Sequence, residues 1–157
     1  MCSESSGSEH QRLSRPKLFM EIARLFGRRS SCPRAAVGCI AVLEGRIVAS
    51  GYVGAPHGQP HCLDVGCEME NGHCVRTIHA ESNLIAWAAR TGTSLLGTTV
   101  WCTHSPCRKC AQLLGNVGVK RVVYDEFYDK AGIQQLRAQG VEALWTGSHE
   151  GELELSS

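Results

Sequence analysis

Residues 98–145 read TTVWCTHSPCRKCAQLLGNVGVKRVVYDEFYDKAGIQQLRAQGVEALW, and the alternation inside this stretch decides the fold class. Thr98–Thr103 is rich in β-formers and is predicted as a strand. Cys107–Leu114 reads as a helix closed by Gly115 and Gly118, and Lys120–Tyr124 as the next strand. Asp129–Ala138 reads as a helix closed by Gly140, and Val141–Trp145 as a last strand. Strand, helix, strand, helix, strand implies parallel pairing through right-handed crossovers.

Upstream, Ala36–Leu43 and Arg46–Tyr52 read as two strands joined by a tight turn at Glu44-Gly45. The expected architecture is therefore α/β, with a mixed sheet of one antiparallel hairpin plus parallel strands, covered by helices. Pro16–Arg28 is predicted as a helix whose apolar stripe is Leu18, Ile22, Leu25 and Phe26. A second helix is expected from Thr77 to about Arg90, with Ile78, Ile85, Ala88 and Ala89 on one side and Gly92 ending it. Between them, Gly54–Val75 carries Gly, Pro, His and Cys with almost no apolar periodicity. A loop of that length without a core of its own needs something other than burial to order it.

One domain over residues 16–146 is expected, with flexible termini at 1–15 and 147–157. The 157 residues suffice for a sizeable core. A net charge of +1 and 6% aromatic residues argue against a nucleic-acid partner. The longest apolar runs, such as Val37–Leu43, are too short for a bilayer, so no membrane partner is expected. The opening MCSESSGSEH lacks the features of a signal peptide, so a cytoplasmic location is expected. Nine cysteines, an odd number, then point to metal or thiol chemistry rather than to disulfides.

Two motifs carry that chemistry. His79-Ala80-Glu81 opens one predicted helix, and Pro106-Cys107-Arg108-Lys109-Cys110 opens the next. Cys107 and Cys110 share a helix face, Ser105 can cap that helix, and Pro106 fits its first turn. Helix N-termini favour thiolates. Two sulfurs and one imidazole make three zinc ligands and leave a fourth position for water, as a catalytic zinc requires. Glu81 would be the neighbouring carboxylate that moves protons. Alone, the first motif could be a helix start with a solvated Glu, and the second a redox pair or a zinc knuckle. Together, in this order, they are the signature of zinc deaminases.

On these residues the sequence resembles the cytidine and deoxycytidylate deaminase superfamily, and most of all its deoxycytidylate branch. Further matches are Cys32-Pro33-Arg34 with Val37-Gly38-Cys39, residues 51–58 (GYVGAPHG), residues 60–67 (PHCLDVGC), and residues 72–81 (GHCVRTIHAE). Residues 121–124 (RVVY), Tyr128 and Gly140-Val141-Glu142 extend the likeness, which covers roughly 18–145. The resemblance implies a three-layer α/β/α cytidine-deaminase-like fold with a five-stranded mixed sheet. It implies hydrolytic deamination of a cytosine nucleotide, dCMP to dUMP with release of ammonia. His79, Cys107 and Cys110 would bind the catalytic zinc. Glu81 would protonate N3 of the ring and then the departing amine. The backbone of Ala80 and the carbonyl of Ser105 would hold the base edge. Tyr128 would lie near the sugar and phosphate, and Arg90 matches a position linked to nucleotide choice. The plainer readings are a loop aromatic for Tyr128 and a basic helix end for Arg90.

By the same resemblance Cys32 and Cys62 match ligands of a second, structural zinc. Its other family ligands correspond to Met69 and Thr77, neither of which can serve. Cys67 and Cys74 are the expected replacements, with His61 and His73 as neighbours able to substitute; the alternative is a set of free thiols under a loop. Cys2, Cys39 and Cys102 are expected to be unliganded, the last two in the core. One departure stands out: Val53 occupies a position where the family usually has Asn, and Leu84 one where it tends to have Ala. A reshaped pocket follows, and with it the alternative of a different or C5-modified pyrimidine nucleotide or nucleoside. A zinc-stabilised nucleotide-binding protein without turnover is the alternative of another class. The family likeness further implies a homo-oligomer and a possible nucleoside triphosphate effector.

Overall fold

The computed structural model describes residues 12–147. The expectations for residues 1–11 and 148–157, and for Cys2, lie outside the described residues. Helix α1 spans Arg15–Gly27; its first turn holds Pro16, and the Ser14 hydroxyl accepts the Lys17 N–H at 3.5 Å. Strands β1 (Gly38–Leu43) and β2 (Arg46–Tyr52) form a hairpin. Its turn residues Glu44 (φ 49°) and Gly45 (φ 74°) are both left-handed, as a two-residue turn that matches strand twist requires. The long loop contains a short helix α2 (Cys62–Val65) and a miniature hairpin, β3 (Met69–Glu70) and β4 (His73–Cys74). Then follow α3 (Ala80–Thr91), β5 (Thr99–His104), α4 (Arg108–Asn116), β6 (Arg121–Glu126), α5 (Lys130–Ala138) and β7 (Glu142–Trp145).

The main sheet has five strands in the order β2-β1-β5-β6-β7. β1 pairs antiparallel with β2 and β5, whereas β5, β6 and β7 run parallel. Parallel strands need both faces covered, and the side chains alternate accordingly. Cys39, Ala41, Val100, Cys102, Val122 and Tyr124 pack with residues of α3, α4 and α5. Ile40, Val42, Trp101 and Val123 pack with Phe19, Met20 and Ala23 of α1. The three-layer α/β/α expectation therefore stands. Among the described residues no helix is long and apolar enough to cross a membrane.

The apolar stripe expected on α1 is rotated. The helix buries Phe19, Met20, Ala23 and Gly27, while Leu18 is 39% and Leu25 58% exposed. Close seating at one point explains the rotation: a Cβ on Gly38 would come within 2.2 Å of the Ala23 carbonyl oxygen, so the helix turns Ala23 and Gly27 to Gly38, with Phe19 and Met20 packed on Ile40 and Val42. On α3 the inward residues are Ala80, Glu81, Leu84 and Ala88, and Ala89 faces solvent. There too a Cβ on Gly51 would fall 2.2 Å from the Ala80 carbonyl oxygen. In both helices backbone approach, not side-chain size, chooses the inner face.

Asp125 on β6 ties the layers together: its carboxylate accepts from Arg24 of α1 and from the Thr146 hydroxyl. Partial burial pushes this carboxyl up, but the Arg24 and Thr146 hydrogen bonds outweigh burial and hold it below its ordinary value. The folded form thus binds a proton less readily than the unfolded form. Its stabilisation is full above the unfolded pKa and disappears as pH falls through the lowered folded value. Asp125→Asn is expected to cost about 0.5–1 kcal/mol at pH 7. Urea denaturation at decreasing pH should show that difference shrinking; an equal loss at every pH would contradict the assignment.

Candidate active site

The site is built where α3 and α4 begin. His79 is the N-cap of α3, with extended backbone (φ −66°, ψ 154°), and Cys107 is the N-cap of α4 (φ −70°, ψ 165°). Neither side chain caps its own helix, which leaves both free to point elsewhere. The expected cap by Ser105 is replaced by another arrangement, because Ser105 lies two residues ahead of the N-cap. Its buried hydroxyl accepts the backbone N–H groups of Tyr128 and Asp129 at 2.8 and 3.1 Å. Asp129 does the capping instead: its carboxylate accepts from Arg108 N–H at 3.1 Å and from Ala131 N–H at 2.8 Å, at the starts of α4 and α5. Pro106 precedes the cap, and Gly132 of α5 sits against it so closely that a Cβ would lie 1.8 Å from the Pro106 carbonyl oxygen.

These contacts bring three donor atoms together. His79 Nδ1 lies 3.5 Å from Cys107 Sγ and 3.5 Å from Cys110 Sγ, and all three atoms fall within 4.8 Å of one another. Cys110 Sγ is also 3.5 Å from the Ser82 hydroxyl. The hydrogen bond from Cys110 chiefly, aided by His79 and opposed by burial, holds the Cys107 thiol down to about 4. The hydrogen bond with Cys107, with burial, pushes Cys110 up, and Cys107 also raises His79. An imidazole, a ready thiolate and a second thiol converging on one point are the donor set of a zinc with an open fourth position. Glu81 is buried beside them, 4% exposed, and burial is the main force raising its carboxyl pKa.

His79, Glu81 and Cys107 line a cavity of about 250 Å³. Its buried floor includes Glu81, Ser105 and Val53; its exposed rim includes Arg34, Gly72, His73 and Tyr128. One wall also shows Cys32 and Cys74, two of four cysteines gathered beside it. The sulfurs of Cys32, Cys62 and Cys67 lie within 4.8 Å of one another, and Cys74 Sγ is 3.6 Å from Cys62 Sγ. Burial and the neighbouring thiols push Cys62 up to about 12. Burial also pushes Cys74 up, but backbone hydrogen bonds at Arg76 and Glu68 and the Cys62 thiol outweigh it and hold Cys74 at about 7.

A model of the cytidine and deoxycytidylate deaminase zinc-binding region matches residues 13–126. The chain belongs to this family. It is 41% identical over 118 residues to ComE operon protein 2 of Bacillus subtilis, covering 75% of this chain and 62% of that one. It is 32% identical over 131 residues to deoxycytidylate deaminase of Saccharomyces cerevisiae, covering 78% and 42%. The chain thus spans less than two thirds of the length of both relatives. The dCMP deaminase of cyanophage S-TIM5, solved in complex with dCMP and dUMP, superposes with a TM-score of 0.77 at 36% identity, covering 87% of this chain and 99% of that one.

Within this deaminase fold the candidate residues separate into groups. His79, Glu81, Ser105, Cys107, Tyr128 and Val53 line the cavity, and Cys110 completes the donor trio. Ala80 is fully buried outside the lining, its carbonyl turned to Gly51. Arg90 is exposed in the last turn of α3 and does not line the cavity either. The sulfurs of Cys32, Cys62 and Cys67 converge, and Cys74 lies beside Cys62. His61 is the N-cap of α2 and His73 lines the cavity; neither is among the donor atoms that converge with Cys32, Cys62 and Cys67. Cys39 and Cys102 are buried core residues paired across β1 and β5.

Sequence reasoning did not single out Arg34 or His104 as cavity residues. His104 ends β5 next to Ser105; its Nδ1 is 3.0 Å from the Thr103 hydroxyl and its Nε2 3.2 Å from the Glu126 carboxylate. The available signal was position, since strand-end residues flanking a motif commonly face its site.

Proposed function

We propose that the protein hydrolytically deaminates the cytosine ring of a free nucleotide, converting dCMP to dUMP with release of ammonia. The observation that carries this reading is the buried Glu81 carboxyl in one cavity with a converging His79–Cys107–Cys110 donor set. A structural zinc alone has no use for a buried acid beside it. The dCMP and dUMP named in the cyanophage complex support the choice of substrate.

His79, Cys107 and Cys110 would hold the zinc, which when bound supplies the Lewis acidity that makes water nucleophilic near neutral pH. Burial raises the pKa of the Glu81 carboxyl, which strengthens it as a proton acceptor. Glu81 takes a proton from the attacking water and gives it to ring N3 as the C4–O bond forms. It then passes the remaining hydroxyl proton to the amine as the C4–N bond breaks and ammonia leaves. Ser105, fixed by its bonds to Tyr128 and Asp129, presents a rigid backbone to the base.

Val37 and Val53 line the same cavity and form an apolar wall able to accept a C5 substituent. That wall favours a second substrate, 5-methyl-dCMP, in the same assay. Release of ammonia with the loss of cytosine ultraviolet absorbance should be seen with dCMP. Glu81→Gln should reduce kcat by about 10²–10⁴-fold without loss of metal. Turnover by the Gln variant at the wild-type rate would remove Glu81 from the mechanism.

We further propose that Cys32, Cys62, Cys67 and Cys74 hold a second, structural zinc that orders the loop. Metal analysis should then return about two zinc ions per chain, with Cys62→Ser and Cys107→Ser each losing one. A single ion in the wild type, lost only on Cys107 substitution, would leave the four thiols free. Eight described cysteines without a disulfide suit the reducing cytoplasm, where we place the protein.

Family likeness supports a homo-oligomer under nucleoside triphosphate control, and the exposed Leu18 and Leu25 of α1 offer apolar surface to bury. Light scattering should give a multiple of the chain mass, and dCTP should change the rate at fixed dCMP. A monomer indifferent to dCTP would overturn both.

A further inference from the structure

The first four N–H groups of a helix, counted from its N-cap, have no partner within the helix. In α4 these belong to residues 107–110, the stretch that carries two of the three converging donors, Cys107 and Cys110. The Cys107 side chain makes no capping bond. Fraying of this turn would move both sulfurs, so it needs an anchor from outside.

Asp129 supplies one. It is the N-cap of α5, and its Oδ1 accepts the Ala131 N–H at 2.8 Å. Its Oδ2 crosses to α4 and accepts the Arg108 N–H at 3.1 Å. One partly buried carboxylate thus serves two helices. The residues ahead of Arg108 are gripped from the same side. Ser105 Oγ accepts the N–H groups of Tyr128 and Asp129, and a Cβ on Gly132 would fall 3.1 Å from the Cys107 carbonyl carbon. Asp129 does not line the cavity, so any effect it has on the reaction passes through α4.

Resting on the reading of His79, Cys107 and Cys110 as zinc ligands, we propose that Asp129 is a positioning residue for the metal. It holds the first turn of α4 so that both sulfurs face His79. The bond from Arg108 N–H is the one that matters to the metal, because it lies between the two sulfurs in sequence. The bond from Ala131 N–H serves α5.

The two bonds can be separated by substitution. Asp129→Ser keeps an N-cap of comparable strength for α5, but its single, shorter oxygen does not also reach Arg108. Asp129→Asn keeps one accepting oxygen of the two, and Asp129→Ala keeps neither. Cobalt(II) in place of zinc, bound to the full chain, reports ligand geometry through its visible absorption. The part of that spectrum lost in Cys107→Ser belongs to this site. In Asp129→Ser those bands should shift, and the cobalt should pass to a competing chelator at between about threefold and thirtyfold lower chelator concentration, the worth of a lost cap. Its melting temperature should change little. Asp129→Ala should lose cobalt as readily and melt earlier as well, and Asp129→Asn should recover part of the retention. Bands and retention unchanged in both Asp129→Ser and Asp129→Ala would overturn the proposal. So would cobalt loss in Asp129→Ala alone, since the carboxylate would then act only as the cap of α5. A wild type without any Cys107-dependent band would remove the zinc reading and this proposal with it; a normal band that ignores Asp129 removes this proposal alone.

Discussion

The catalytic constellation depends on how closely helices approach the sheet and one another. His79 and Cys107 are both N-caps, so their side chains meet only if the first turns of α3 and α4 lie side by side over the sheet. Gly51 permits this on one side, where the Ala80 carbonyl occupies the space of a side chain. Gly132 permits it on the other, where α5 presses on Pro106. A single methyl at either glycine would push a helix outward. A metal site tolerates such displacement poorly, because its ligand distances vary by only about 0.2 Å.

That close approach also creates the electrostatics. Packing α3 against β2 buries Glu81 at its first turn, where a carboxyl would otherwise be solvated. Burial disfavours its charged form and raises the pKa of its carboxyl, which makes it a stronger acceptor for a proton. The nearby Cys107 takes the opposite course, because Cys110 and His79 hydrogen-bond to it and favour the thiolate. A carboxyl raised by burial and a thiol lowered by its neighbours thus sit in one pocket. Pairs of titratable groups driven apart by their surroundings are a mark of sites that move protons.

Much of this was legible in the letters. Regular alternation of strand and helix in residues 98–145 and the turn at Glu44-Gly45 suffice for the mixed sheet, because periodicity and turn chemistry are local. His79, Cys107 and Cys110 were legible because their types and spacing are those of zinc ligands, and Glu81 because the two motifs together form a known signature. What escaped was whatever depends on backbone approach or on distant partners. The rotation of α1 was missed because Ala23 and Gly27, not Leu18 and Leu25, are what fits against Gly38. Ser105 looked like a cap because its neighbours matched one, while the actual acceptor, Asp129, lies 21 residues from the Arg108 N–H it receives. The β3–β4 hairpin was hidden because it has two residues per strand and no hydrophobic pattern.

That hairpin links stability to the shape of the pocket. Residues 54–75 contribute few side chains to either core cluster, with Val53 just before them and Cys62 and Cys67 within them the nearest packed groups. Burial alone therefore does not hold the loop, yet Gly72, His73 and Cys74 supply part of the cavity wall. Where a wall of a pocket lacks a hydrophobic core, a metal held by the proposed four-thiol site would perform two tasks at once: it would close the chain into a defined path and fix the distance between the pocket's rim and its floor. Cys32 joins the two sides, for it precedes Arg34 on the segment leading to β1 while its sulfur meets those of the loop. A metal at that cluster would fasten the loop to the sheet at the point where the cavity opens, and the floor could be rigid without the rim being built from the same core.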